Sequence, residues 1–148
     1  MQRIGIFSIE EVLPYIYELT GEERREFLGN LVKMGSQRYR LFHHKGTVCT
    51  HCGLEGTYFA LEKDFFATKY HFNLYGINKE GKEILFTKDH IVPRSKGGGN
   101  HLGNYQVLCA KCNRDKGDRW PTEKEVKKLT RKQRKMVRAK KLKERKEQ

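Results

Sequence analysis

Apolar positions recur at two different periods along this chain, and the change of period divides it. Near the N-terminus the spacing is helical. Ser8, with Glu11 three residues on, makes a capping box. Val12, Leu13, Ile16 and Leu19 then fall near one face, with Tyr15 and Tyr17 beside them. Pro14 cannot donate a backbone hydrogen bond, so it belongs in a first turn or at a kink. Thr20 and Glu23 make a second capping box, and Phe27, Leu28, Leu31, Val32 and Met34 keep the helical spacing. The pattern predicts a helix over residues 21–34 that runs on through Tyr39, Leu41 and Phe42.

From Thr57 to Thr87 the period falls to two. Tyr58-Phe59-Ala60-Leu61 is a short apolar run, Tyr70 to Ile77 alternates, Asn78 to Lys82 is a turn, and Glu83 to Thr87 returns as a strand. Strand periodicity assigns Phe65, Phe66, Tyr70, Phe72 and Tyr75 to the core of a small sheet. The alternative for these aromatics is stacking on nucleic-acid bases. After the break at Trp120-Pro121, Thr122 and Glu125 cap another helix. Its apolar residues Val126, Leu129, Met136, Val137 and Leu142 are too few for a buried helix. Three stretches result: a helical segment over 1–46, a strand-rich core over 47–120 and an arm over 121–148.

Composition adds a partner. Of 148 residues 36% are apolar and 33% charged, enough for one modest core that would gain from a staple. The formal net charge is +13, which suits a polyanion, nucleic acid first. The arm holds thirteen Lys or Arg against four Glu, so it reads as a helix lying on nucleic acid or a partly disordered basic tail. Arg38, Arg40, His43, His44 and Lys45 form a second basic group, suited either to phosphate contact or to a helix C-terminus. No apolar run is long enough to span a membrane, and the first residues lack a signal peptide's apolar core. The expected compartment is the reducing cytoplasm, where four cysteines point to metal rather than disulfides.

The cysteines stand as Cys49-x-x-Cys52-Gly53 and Cys109-x-x-Cys112. Two such knuckles fit a tetrahedral Zn²⁺ with no open position, a structural ion that cannot activate water. A neighbouring His43, His44 or His51 is not needed as a ligand. Zinc deaminases also use Cys-x-x-Cys, but they require an upstream His-x-Glu and a Pro before the pair. Here Leu108 precedes Cys109 and no His-x-Glu exists.

Between the knuckles lies a second group: Asp89, His90, Asn104 and Asn113. Ile84 to Val92 reads as a strand ended by Pro93, Gly97-Gly98-Gly99 as a turn, Gln106 to Leu108 as the return strand, and Cys112 to Gly117 as a short helix. A hairpin followed by a helix can set Asp89 and Asn113 against one ion, and two oxygen donors suit Mg²⁺ or Mn²⁺. His90 alternates to the other strand face, but a bend at the strand end would bring its imidazole near substrate, where it could deprotonate water.

These residues, Asp89-His90-Ile91-Val92-Pro93, the glycine turn, Asn104, Leu108-Cys109-x-x-Cys112-Asn113 and Lys116, resemble the HNH endonuclease family in its zinc-stapled form. The resemblance covers about Cys49 to Gly117 and implies an α+β chain built on a ββα-metal core. It implies that His90 is the general base, Asp89 a metal ligand, and Asn104 the residue that holds the loop and orients His90. Asn113 stands where the family often has its final His, which makes this an HNN variant of the phage and homing-nuclease type. Lys116 is a candidate contact to the scissile phosphate, and Arg94, Lys96 and Arg114 to the flanking backbone, joined by Arg38, Arg40, Arg131, Lys132 and Arg134. Ordinary solvated charge is the plain alternative for these cations. The function expected is metal-dependent hydrolysis of double-stranded DNA. The alternative is a non-catalytic zinc-ribbon module that binds DNA or RNA.

Overall fold

The computed structural model describes residues 1–17 and 20–148. A five-stranded antiparallel sheet forms its frame, ordered β1 (Gln2–Ser8), β4 (Tyr58–Lys63), β5 (His71–Ile77), β6 (Glu83–His90) and β7 (Tyr105–Cys109). The strands expected between Thr57 and Thr87 are present, and so is the turn over residues 78–82, where Asn78 Oδ1 accepts from the Glu80 and Lys82 amides. Phe59, Leu61, Phe72, Leu74, Phe86 and Val107 alternate onto one buried face and form the main core with α2 (Gln37–Lys45), while β7 is buried on both faces and adds Leu108.

The N-terminal segment departs from the helical expectation. Gln2–Ser8 is the edge strand of the sheet, paired with β4. The Ser8–Glu11 capping box is real, but it starts only α1 (Ile9–Val12), after which Pro14 sits in a single 3₁₀ turn, Leu13–Tyr15. Leu19 of the expected face lies outside the described residues. Residues 21–34 are not helical. They hold a two-stranded hairpin, β2 (Arg24–Phe27) and β3 (Asn30–Lys33). Its turn residues Leu28 and Gly29 have φ of 49° and 78°, a left-handed pair matched to the twist of a two-residue hairpin.

Phe27, Leu28, Leu31 and Val32 satisfy a helical period and a hairpin equally. Burial decides between them: Phe27 and Val32 face the core, while Leu28 and Leu31 are 59% and 65% exposed. The Thr20 hydroxyl bonds the Glu23 carboxylate and the Glu22 amide within a turn, so that box caps no helix. No helix could run on to Phe42 either. Gly35 lies against the Gly21 backbone so closely that a Cβ would fall 2.4 Å from Gly21 Cα. Ser36 then caps α2 afresh, its hydroxyl accepting from Tyr39 N.

The basic arm is also packed. Thr122 and Glu125 cap α4 (Glu123–Val126), and Thr130 caps α5 (Arg131–Lys146). The few apolar side chains suffice because they land on one spot. Val126 is buried, and Leu129 and Val137 form a second small core with Ile91 and Val92, flanked by Trp120 and Met136. Those two valine and isoleucine residues directly follow His90. Leu142 remains exposed. No described helix is long and apolar enough to cross a membrane.

Candidate metal centre and catalytic cleft

The two cysteine knuckles meet at the far end of β7. Thr50 N donates to Val107 O and Gly53 N to Cys49 O, with Gly53 at φ 79°, so the first knuckle folds back onto β7. Cys109 ends β7 and stands at the N-cap of α3 (Ala110–Lys116), and Cys112 sits in that helix's first turn. All four sulfurs lie within 4.8 Å of one another, and Cys52 Sγ and Cys109 Sγ are 3.8 Å apart. A zinc–sulfur bond of about 2.3 Å gives a tetrahedral edge of about 3.8 Å, so the spacing fits the ion.

Electrostatics favour the same conclusion. Burial pushes the Cys49 thiol up, but backbone N–H groups of Cys52, Cys109 and His51 outweigh it and hold it down at about 7. Burial raises Cys109 despite opposing bonds from Cys112, and burial followed by contacts with the other three sulfurs raises Cys112. One thiolate forms readily and four cannot coexist without a cation. His51 takes no part, since its Nε2 lies 3.5 Å from Glu125.

Asp89, His90 and Asn113 line one cleft of about 300 Å³, together with Lys88, Arg94 and Asp118. Asp89 and His90 are the last residues of β6, in register with Gln106 and Tyr105 on β7. His90 Nε2 lies 2.8 Å from Asn100 Oδ1, and its ring meets Tyr105 edge to face at 4.9 Å. A carbonyl oxygen only accepts, so Nε2 carries the hydrogen and Nδ1 keeps a lone pair. Asn100 therefore holds the ring, the role expected of Asn104. Asn104 keeps the other part of that expectation: it is buried and ties the loop together, its Oδ1 accepting from Val92 N and its Nδ2 donating to Val92 O and Gly99 O.

Asp89 is buried. Its Oδ2 accepts from Gln106 Nε2 at 3.0 Å and pairs with Lys116 Nζ at 3.1 Å, while Oδ1 meets Lys116 only at 3.5 Å. Lys116 also donates to His90 O at 2.8 Å. Its side chain is 1% exposed, which excludes the expected contact to a phosphate on the surface. Asn113 Nδ2 donates to Thr87 Oγ1, which leaves Oδ1 as the amide's ligating end. One carboxylate oxygen and one amide oxygen in a shared cleft suit a hard cation such as Mg²⁺ or Mn²⁺.

Behind Asp89 runs a polar chain that composition and spacing did not reveal. Gln106 Nε2 donates to Asp89 and, at 2.6 Å, to Glu125 Oε2. Glu125 is 1% exposed and also accepts from Arg119 and the Thr122 amide. Burial raises its pKa, but those bonds, Gln106 first, bring it down to about 2. Gln106 was findable, because hairpin register sets it opposite Asp89. Glu125 was legible only as a helix cap.

The other cations divide. Arg94, Arg114, Arg131 and Lys132 are exposed. Arg131 and Arg134 line a shallow basic hollow on α5 with Lys135 and Arg138. Lys96 pairs with Glu144 at 3.6 Å and lies over Trp120. Arg38 Nη2 donates to Phe72 O, and the Arg40 guanidinium borders Gly21.

No curated protein and no solved structure matches the chain significantly. Residues 78–129, which include Asp89, His90, both asparagines, the second knuckle and Glu125, match the HNH endonuclease family, and the family resemblance read from Asp89 to Gly117 stands on that match.

Proposed function

We propose that the chain is a metal-dependent endonuclease that hydrolyses phosphodiester bonds in DNA. In this reading β6, β7 and α3 serve as the family's ββα unit, Zn²⁺ on the four cysteines is structural, and Asp89 and Asn113 hold one catalytic Mg²⁺ or Mn²⁺. The observation that supports it best is the His90–Asn100 contact, which in a neutral imidazole donating from Nε2 would leave Nδ1 to act as the base in a cleft shared by two oxygen donors. His90 Nδ1 takes a proton from water, whose oxygen attacks phosphorus as the bond to the 3′ oxygen breaks. That leaves a 5′-phosphate and a 3′-hydroxyl. A divalent cation at the oxygen donors supplies positive charge to the phosphate as it reacts. Arg94, exposed at the rim, steadies the backbone. Lys116 pairs with Asp89 and holds the His90 carbonyl, and the 121–148 segment completes the site through Glu125 while its cations add grip.

Plasmid incubated with Mg²⁺ or Mn²⁺ is expected to be nicked or linearised, with 5′-phosphate ends, and to stay intact with EDTA. His90→Ala should lower the rate by a factor of about 10² to 10⁴ while leaving DNA binding and the melting profile unchanged. Intact plasmid across several divalent metals would favour a zinc-ribbon binding module, and cleavage retained by His90→Ala would remove His90 as the base.

A further inference from the structure

The sheet opens beside the cleft. β5 and β6 pair only from Tyr75↔Leu85 to Ile77↔Glu83, and from Phe86 to His90 β6 is paired with β7. The β5 residues nearest His71 have no β6 partner. The first turn of α2 enters the gap and satisfies the backbone there. Arg38 Nη2 donates to Phe72 O at 2.7 Å, and Phe72 N donates to the Tyr39 hydroxyl at 2.7 Å. What remains is a groove of about 710 Å³ lined by Lys33, Arg38, Tyr70, His71, Thr87 and Lys88. Lys88 lines both this groove and the cleft of Asp89 and His90, so the two adjoin at that residue.

The groove is positive and lacks an acidic wall. Of its described lining residues three are Lys or Arg and none is Asp or Glu. Lys33 reaches Glu22 in an exposed pair, but among the described residues Lys88 meets the Gln37 amide oxygen and the Tyr105 ring and no carboxylate. Burial, and then the like charges of Arg38 and Arg94, hold the Lys88 pKa below the usual lysine range. Lys33 has Glu22 at its outer edge, but the groove itself carries no carboxylate among its described lining residues, and cations gathered this way mark a place for an anion.

An aromatic pair stands at the same end of the molecule. The register Glu62↔His71 puts the β4–β5 connection, residues 64–70, at the sheet end where β6 presents Asp89 and His90. On that connection Phe65 is 72% and Phe66 101% exposed, against the expectation that both are core. Phe72 of the same group is buried, and Tyr70 and Tyr75 are half-buried.

We propose that the opening between β5 and β6 binds an unpaired stretch of the DNA strand being cut, with Lys33 and Lys88 on phosphates and Phe65 and Phe66 on base faces. The volume suits a ligand of about two nucleotides and not a duplex. Bases inside a duplex offer no free face to an aromatic side chain, whereas unpaired bases do. A substrate with a flap or gap beside the scissile phosphate is therefore preferred to continuous duplex. The inference rests on the nuclease reading for the identity of the strand, but not for the binding itself.

The test uses the full-length His90→Ala protein and fluorescence anisotropy with a labelled oligothymidylate of about eight nucleotides, and with a duplex of equal length. Lys33→Gln with Lys88→Gln should weaken single-strand binding and flatten the slope of log affinity against log salt by about 1.4, the loss of two phosphate contacts. Phe66→Ser should weaken it by roughly 5- to 150-fold with the slope unchanged. These side chains stand at the surface, so the melting profile should not move. Unaltered single-strand affinity in both variants overturns the proposal, and so does an equal loss on single strand and duplex. Failure of the wild-type protein to cut plasmid, with groove-dependent single-strand binding intact, would defeat the nuclease reading alone.

Discussion

The sulfur centre and the oxygen centre lie one peptide bond apart, at Cys112 and Asn113, and are built on opposite plans. The sulfur centre gathers four identical groups from two distant stretches of the chain. Burial and mutual proximity push the Cys112 thiol up. That centre is complete only with a cation. The oxygen centre is compensated from within. Lys116 neutralises Asp89, Gln106 donates to it, and Thr87 anchors Asn113. Its side chains are ordered before any ion arrives. In the proposed reading one metal would belong to the fold and the other to the chemistry.

Removing each metal should separate the two plans most strongly. Structural zinc contributes about 10 kcal/mol or more in small domains. Stripping it, or Cys109→Ser, should abolish cooperative melting followed by circular dichroism, while removing Mg²⁺ should stop cleavage and leave the melt alone. A zinc-free chain that melts like the native one would undo the contrast.

Next in size is Lys116→Met, which strands a buried carboxylate. It should cost about 3–5 kcal/mol by urea unfolding. A phosphate-contacting lysine would instead leave stability unchanged and weaken DNA binding.

Glu125 comes third. Its folded pKa of about 2 lies below the ordinary carboxylate value of 4.5, so the folded state favours the ionised form. The stability this supplies is fully present above pH 4.5 and is lost as pH falls towards 2, on the order of 3 kcal/mol. Glu125→Gln should flatten that part of the acid-unfolding curve; a variant that follows the native curve between pH 4.5 and 2 would contradict the assignment.

The smallest effect expected is Asn100→Ala. It frees the His90 ring without touching either metal, and should slow cleavage about tenfold, or about 1.4 kcal/mol, with an unchanged melt. A loss equal to that of His90→Ala would mean that Asn100 does more than hold the ring.

Legibility followed the density of chemical constraint. Cysteine pairs, the Asp89-His90 strand end and the glycine turn each admit few structures, and the second knuckle, β6, β7 and α3 stand where the residues placed them. Residues 21–34 failed because Phe27, Leu28, Leu31 and Val32 fit both periods. The decisive signals were local: Leu28-Gly29 in a left-handed turn, and Gly35 with no room for a side chain. The arm was misjudged because its apolar residues were counted along the arm alone. Their partners, Ile91 and Val92, lie far away in sequence. Asn100 escaped notice for a related reason, since a loop asparagine has no period. Strand periodicity puts Phe65 and Phe66 in the core, and only three-dimensional exposure separates them from Phe72.

The Gln106 bridge has a consequence for how the protein is made. Its amide spans Asp89 and Glu125, so the carboxylate at the cleft gains its full setting only when the segment beyond Trp120 has folded back. A ribosome delivers Asp89 and His90 well before Glu125. An unfinished chain, or a fragment clipped at the exposed Gly117-Asp118, carries the reactive imidazole without the carboxylate environment that accompanies it. In the proposed reading, the setting of Asp89 thus waits for the segment that carries Glu125.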